Sequence, residues 1–254
     1  MSAHISAPVP PEVETLRIGG PRSEHIAHVR AWQRGHEQAM ARHFARAVRP
    51  GMTVIDAGAY LGYFTLLAAN RVGRRGRVHA FEPHPESFLA LRENVRANGF
   101  EDRVTAVPVA LAERSEIRRL RLEANPTQST LAGGGNGNRS IEVECVALDQ
   151  YLDTADAPDL VKVDVEGGEL AALAGMRHTL ERVGYEFVMV IEFNPGALRR
   201  AGTGPGELLA RVRAAGLEVR VINERKGRIE LPNPANLFER SWVNLWLSRS
   251  AAAP

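Results

Sequence analysis

From Thr53 onward, short runs of β-branched and apolar residues alternate with stretches whose apolar positions recur at helical spacing. That alternation predicts crossover units on a parallel sheet. Thr53-Val-Ile-Asp56 reads as the first strand, introduced by the turn Arg49-Pro-Gly-Met52, and a helix follows from about Leu61 to Gly73. Arg77 to Glu82 predicts the second strand, and beyond Pro83-His-Pro85 a helix places Phe88, Leu91 and Val95 on one face before Gly99 ends it. Val104 to Val107 is the third strand. Leu160 to Asp164 and Phe187 to Glu192 are further strands around a helix from Glu169 to about Val183. A helix from Gly206 to Ala215 and strands near Leu217–Ile222 and Trp242–Leu247 complete seven sheet strands with helices between them.

Two stretches break the rhythm. Within 112–150, Ile117–Leu122 and Ile141–Val146 alternate as half-buried strands, around a loop containing Gly133-Gly-Gly-Asn-Gly137 that is expected to be mobile. Residues 13–50 precede the sheet, carry a helical pattern from about Trp32 to Val48, and are expected to cover one sheet edge or the active face. Residues 1–12, rich in proline and small side chains, are expected to be a disordered start. The domain proper is then 51–250, with 112–150 as a β-rich insertion.

Composition narrows the class. The 254 residues are 44% hydrophobic and 24% charged, which suits an ordinary globular protein. Thirty-two basic residues against 30 acidic ones leave a formal charge of +2, so a basic footprint for nucleic acid is lacking. Only Lys162 and Lys226 are lysines; the short arginine runs read as solvated faces. A single cysteine, Cys145, rules out an internal disulfide framework and suits a reducing, cytoplasmic setting. No segment approaches the roughly 20 apolar residues of a membrane span. A homo-oligomer is left open.

The chemistry-bearing signals sit at strand ends. Asp56-Ala-Gly58-Ala-Tyr60-Leu-Gly62 joins the first strand to its helix, where glycines let backbone approach a nucleotide-like ligand. A dinucleotide site would put a glycine where Tyr60 stands and would not place Asp56 beside a pyrophosphate. A cationic cofactor suits these acids better. Glu82, twenty residues after Gly62, ends the second strand where a carboxylate accepts ribose hydroxyls. Lys162-Val-Asp164-Val-Glu166-Gly-Gly-Glu169 gathers three carboxylates at another strand end, with Asp164 the first and Glu166 the second candidate for general base. Glu169 serves equally well as a helix cap. Glu192, in Glu192-Phe-Asn-Pro195, faces the same crevice and is a candidate to orient an acceptor. A divalent ion on Asp164, Glu166 and Glu192 is the lesser alternative, because no histidine joins them, and no metal is expected. His25, His28 and His36 read as surface residues unless the leading segment folds over the crevice. Trp32, Trp242 and Trp246 read as packing residues.

These motifs together resemble the FkbM methyltransferases over about residues 50–248. The resemblance rests on Val54 to Thr65, on Ala80-Phe-Glu82-Pro83 with Leu91 to Asn94 and Asn98, on Val161 to Glu169 with Leu173 and Gly175, and on Leu148-Asp149. Tyr60 departs from the asparagine common there. The resemblance implies a Rossmann-like class I methyltransferase fold with a seven-stranded, mostly parallel sheet, helices on both faces and an antiparallel last strand. It further implies S-adenosylmethionine as cofactor and a small-molecule hydroxyl as acceptor. Asp56, Gly58 and Gly62 would shape the methionine side, Glu82 would hold ribose, and Asp164 would lie near the transferring methyl. Three other readings remain: an NAD-binding oxidoreductase, a methyltransferase acting on nucleic acid, and a non-catalytic module that only binds the cofactor. Against the second, Asp164-Val-Glu-Gly167 stands where amino methyltransferases carry an Asn/Asp-Pro-Pro-aromatic motif.

Overall fold

The computed structural model describes residues 4–7, 16–21, 23–33, 35–122, 129–131, 139–152 and 157–249. In the leading segment, β1 (His4–Ala7) pairs antiparallel with β2 (Leu16–Gly19), and α1 (Ser23–Gln33) and α2 (Gln38–Ala47) follow. So four residues of the start expected to be disordered form a strand, whereas residues 1–3 and 8–12 lie outside the described residues. The single helix expected from Trp32 to Val48 is two helices. Gly35, at φ 101°, sits between them in a conformation that a helix cannot include.

The domain proper runs β3 (Thr53–Ala57), α3 (Tyr63–Val72), β4 (Arg77–Phe81), α4 (Pro85–Ala97) and β5 (Val104–Val107). The insertion supplies β6 (Ala110–Leu111), β7 (Glu116–Arg121) and β8 (Ser140–Val146), a separate three-stranded sheet in the order β6-β8-β7. Its glycine loop, Gly133–Gly137, lies outside the described residues. Then come α5 (Leu148–Tyr151), β9 (Leu160–Val163), α6 (Glu169–Ala174), α7 (Arg177–Arg182), β10 (Val188–Phe193), α8 (Pro195–Arg200) and α9 (Pro205–Ala214). The chain ends with β11 (Glu218–Asn223), β12 (Arg228–Glu230) and β13 (Val243–Ser248).

The main sheet has the order β12-β11-β13-β10-β9-β3-β4-β5. Its count is eight, not seven, because β12 folds back on the edge strand β11 as a hairpin too short and polar to announce itself. β3, β4, β5, β9 and β10 pair in parallel, and β13 runs antiparallel between β10 and β11. Alternation along the strands builds the two layers. Val54, Leu160, Val190 and Trp246 pack on the side of α2, α3 and α4. Ile55, Val161, Ile191 and Leu245 pack on the side of α6, α7 and α9. The helix expected from Glu169 to Val183 breaks at Gly175, where a Cβ would stand 1.9 Å from the Ala112 carbonyl oxygen. Among the described residues, no helix is long and apolar enough to cross a membrane.

Two asparagines one turn apart, Asn94 on α4 and Asn98 capping its C-terminal end, bind the leading segment to this core. Asn94 is fully buried; its amide accepts from Gly19 N–H at 3.0 Å and donates to the carbonyls of Gly19 and Leu61 at 2.9 and 2.8 Å. Asn98 accepts from Arg17 N–H at 2.9 Å and donates to the Arg17 carbonyl at 2.7 Å, at an exposed position. Removing a buried group strands its partners without water. Asn94→Ala is therefore expected to lower unfolding free energy in urea by about 2–4 kcal/mol, and Asn98→Ala by about 1 kcal/mol or less.

Candidate active site

β3 leaves the sheet through the turn Gly58 to Gly62. Gly58 has φ 77°, and a Cβ on it would lie 1.8 Å from the carbonyl oxygen of Asp164. Only glycine lets the ends of β3 and β9 meet so closely. Tyr60, also left-handed at φ 52°, aims its N–H at Glu82 Oε2, 2.7 Å away, and His84 N–H donates to Glu82 Oε1 at 2.8 Å. Both carboxylate oxygens are thereby fixed, and each keeps a lone pair for a further donor. Burial pushes Glu82 up from an ordinary 4.5 to about 7, the two N–H groups opposing the rise and the Asp56 charge adding to it.

Beneath the turn lies a buried charge cluster. Asp56 on β3 and Lys162 on β9 are register partners on the same sheet face, with Nζ 3.8 Å from Asp56 Oδ1. Lys162 Nζ also donates to Asp164 Oδ2 at 3.0 Å and sits 5.1 Å from the ring centre of Phe64. Burial disfavours this ammonium, yet the charges of Asp164, Asp56 and Glu37 outweigh burial and hold it above the ordinary lysine range. Thr65 Oγ1 donates to Asp56 Oδ2 at 2.6 Å; desolvation still raises Asp56 above the usual carboxylate value.

Asp164, Glu166 and Glu192 converge at the ends of β9 and β10, with one carboxylate oxygen of each within 4.8 Å of the others. Glu166 is left-handed at φ 50°, and its carbonyl accepts from Thr130 Oγ1 at 2.6 Å, so the insertion is tied to this turn. Burial, with the charges of Asp164 and Glu169, pushes Glu166 up to about 8. Glu192 is raised well above the ordinary value by burial and by the Asp164 charge. Glu169 stands apart in role: its Oε1 accepts from Gly167 N–H at 3.0 Å and Val165 N–H at 3.4 Å, and it shapes the turn from a fully buried position.

The leading segment closes the site. Trp32 stacks on Tyr63 with ring centres 4.4 Å apart, and His36 meets Trp242 edge-on at 5.6 Å. These rings, with Glu37, wall a cavity of about 440 Å³. Glu37, left-handed at φ 55°, accepts from Asn244 Nδ2 at 3.0 Å, and burial raises its carboxyl. All three non-glycine residues with positive φ among the described residues, Glu37, Tyr60 and Glu166, line this cavity. Unfavourable backbone concentrated at one place marks a functional site.

Of the residues singled out in the sequence, Gly58, Tyr60, Glu82, Asp164, Glu166 and Glu192 line the cavity. Asp56 and Gly62 lie behind its wall: Asp56 under Lys162, and Gly62 against Leu91, whose Cδ1 a Cβ would approach to 2.5 Å. They support the turn from the rear. His25 is no surface residue; it is fully buried, 5.5 Å from the Tyr60 ring. The side chain of His28 lies outside the described residues, and His36 lines the cavity. Trp32 and Trp242 line it too, while Trp246 is core. Sequence reasoning gave no role to Lys162 or Glu37. A charged residue inside the apolar run Leu160-Val-Lys-Val163 was the available signal for the first; nothing local marks the second.

A mostly parallel sheet with the antiparallel strand β13 inserted between β10 and β11, and a glycine turn and acid at adjoining strand ends, define the class I methyltransferase architecture. The methyltransferase FkbM domain matches residues 56–219, and the chain belongs to that family. The hexuronic acid methyltransferase AglP of Haloferax volcanii is 28% identical over 144 residues, covering 56% of this chain and 55% of that protein. The 31-O-demethyl-FK506 methyltransferase FkbM of Streptomyces tacrolimicus is 30% identical, covering 65% of this chain and 76% of its own length. The chain thus spans about half the length of the first relative, 55%. Among solved structures, a methyltransferase FkbM from Methylobacillus flagellatus superposes with TM-score 0.50 at 17% identity, covering 78% of this chain and 43% of that one. A putative rRNA methylase from Clostridium thermocellum gives 0.51 at 14% identity, with coverages of 84% and 93%. At such identity these two share the fold.

Buried acids leave a pH signature. An acid raised by folding keeps its proton in the native state while the unfolded chain has lost it, so stability is full below about 4.5 and falls as pH rises through the folded value. For Glu82 that window ends at about 7. Urea unfolding of the ligand-free chain should show lower stability at pH 8 than at pH 5, Glu82 contributing at most about 3 kcal/mol. In Glu82→Gln the slope across this window should be shallower.

Proposed function

We propose that the chain is a cytoplasmic, S-adenosylmethionine-dependent O-methyltransferase acting on a hydroxyl of a small molecule. One observation carries this reading: among the described residues the cavity wall holds five acidic side chains, Glu37, Glu82, Asp164, Glu166 and Glu192, against one lysine or arginine, Lys162, which is already paired. Such a wall attracts a cation and repels a pyrophosphate or a nucleic-acid backbone. A cofactor that pairs a ribose with a sulfonium and an ammonium fits it. Relatives named for hexuronic acid and for 31-O-demethyl-FK506 support a small, hydroxylated acceptor.

When bound, S-adenosylmethionine supplies an electrophilic methyl group and leaves as the neutral S-adenosylhomocysteine. Glu82, held by two backbone N–H groups, would accept the ribose hydroxyls on its remaining lone pairs. Asp164, fixed by Lys162, would set its negative charge beside the positive end of the cofactor. Glu166, which has no ion-pair partner among the described residues, takes the proton of the acceptor hydroxyl, and Glu192 helps orient that hydroxyl. Trp32 and His36 of the leading segment, Leu120 and Leu131 of the insertion, and Trp242 provide the face against which the acceptor packs, so the leading segment and the insertion help to select it. Most of the rate gain would come from holding the two reactants together.

Thermal-shift titration tests the cofactor. S-adenosylhomocysteine should stabilise the chain, by about 2.7 kcal/mol at a hundred times its dissociation constant, and NAD should not; the opposite result would make the chain a dinucleotide-binding protein. Glu82→Ala should weaken S-adenosylhomocysteine about 10- to 100-fold. Labelled methyl transfer into hydroxylated metabolites should be lost by about 10²–10⁴ in Glu166→Gln, with S-adenosylhomocysteine affinity kept within a few-fold. A labelled product on nitrogen, or in RNA, would refute the acceptor class.

A further inference from the structure

Three carboxyl groups in one corner of a cavity, with a single paired ammonium nearby, can all ionise together only if a further positive charge joins them. Asp164, Glu166 and Glu192 each place one oxygen within 4.8 Å of the other two. The three come from two neighbouring strand ends, β9 and β10, whose main chains are hydrogen-bonded in register through Ile191 and Val163. The backbone therefore holds them together, and they are not a chance meeting of surface side chains. Lys162 contacts only Asp164 of the three, and shares its charge with Asp56.

A second observation points to a ligand. Glu192 Oε2 is sealed from solvent and has no hydrogen-bond donor among the described residues. It belongs to a residue that lines the cavity. Glu82 has an N–H group on each oxygen and Asp164 has Lys162 on Oδ2; the two other buried carboxylate oxygens without a hydrogen bond among the described residues, Asp56 Oδ1 and Glu169 Oε2, belong to residues that do not line the cavity. Asn194, the neighbouring polar residue, caps α8 by accepting from Ala197 N–H on its Oδ1 at 3.0 Å. A carboxylate oxygen buried without a donor costs free energy that a bound cation would recover.

From this geometry we infer that Asp164, Glu166 and Glu192 form a site for one hard divalent cation of the magnesium or manganese type. Donor chemistry selects the ion, since three carboxylates with no histidine and no thiolate suit magnesium and manganese over zinc or copper. Oxygens around magnesium at about 2.1 Å stand about 3–4 Å apart, so the trio needs only a small contraction to share one ion. Three protein oxygens leave about half of an octahedral shell open toward the cavity. Two adjacent oxygens of an acceptor fill such positions, which makes the favoured acceptor a hydroxyl with a second oxygen in chelating reach, as in a vicinal diol or a hydroxy acid. Glu166 binds through one oxygen and keeps the other for the acceptor proton. The acceptor clause rests on the methyltransferase reading; the cation site does not.

Manganese is the probe, because binding quenches the electron paramagnetic resonance signal of the free ion. Titrated into the full chain without any acceptor, Mn²⁺ should occupy one site per chain with sub-millimolar affinity, and Mg²⁺ should displace it. Glu192→Gln should weaken Mn²⁺ at least about ten-fold while S-adenosylhomocysteine still binds, which shows that the variant is folded. Should Glu192→Gln fail to fold, Glu166→Gln carries the same expectation. No loss of free Mn²⁺ signal at millimolar ion, or binding that both variants leave unchanged, overturns the site. S-adenosylhomocysteine binding without Mn²⁺ binding overturns the cation and leaves the methyltransferase standing; Mn²⁺ binding without S-adenosylhomocysteine binding does the reverse.

Discussion

The ammonium of Lys162 is the interaction on which the site depends. It lies inside a sheet strand whose other residues are apolar, across from Asp56 on the next strand and beside Asp164 on its own. Burial alone would strip such a group of its proton. Here the carboxylates hold the proton on, and the ammonium in turn lets acids be packed into a crevice otherwise built from hydrophobic strands. An apolar residue in its place would leave Asp56 facing Asp164 with no compensating charge, which costs more than the pair contributes in itself. Because Asp56 starts the glycine turn and Asp164 starts the acidic one, a single side chain joins both halves of the crevice.

Around that pair the protein tolerates conditions that folding by itself would avoid. Glu82, Glu166, Glu169 and Glu192 are all held above their ordinary protonation range by burial. Three non-glycine residues take left-handed backbone at the cavity wall. Each of these costs stability, and all fall at one place. Sites that are less stable than their surroundings are the usual cost of prearranged charge. The hydrophobic layers on both sheet faces supply the stability that offsets it.

What could be read from the chain and what could not divide along a physical line. The crossover strands were legible because each is a short β-branched run closed by glycine, proline or acid, and the glycine turn was legible because Gly58 and Gly62 sit at a strand-to-helix junction. Features that depend on distant contacts were not. The break between α6 and α7 comes from Gly175 meeting Ala112, far away in sequence. The extra strand β12 owes its existence to an edge offered by β11, not to its own three residues. The place of Asp56 in the motif does not announce its pairing with Lys162, which only the register of β3 against β9 decides. Glu37 enters the site only because the leading segment folds back over the strand ends, and no local pattern announces that.

The grip of Asn94 and Asn98 on residues 17 and 19 has a consequence for how this protein can diversify. Both amides read peptide groups alone, in the manner of one strand reading another, and ask nothing of the side chains on the strand they hold. A tether of that kind is blind to sequence. The segment that roofs the cavity can exchange its residues, and with them the molecules it admits, while the attachment point stays the same.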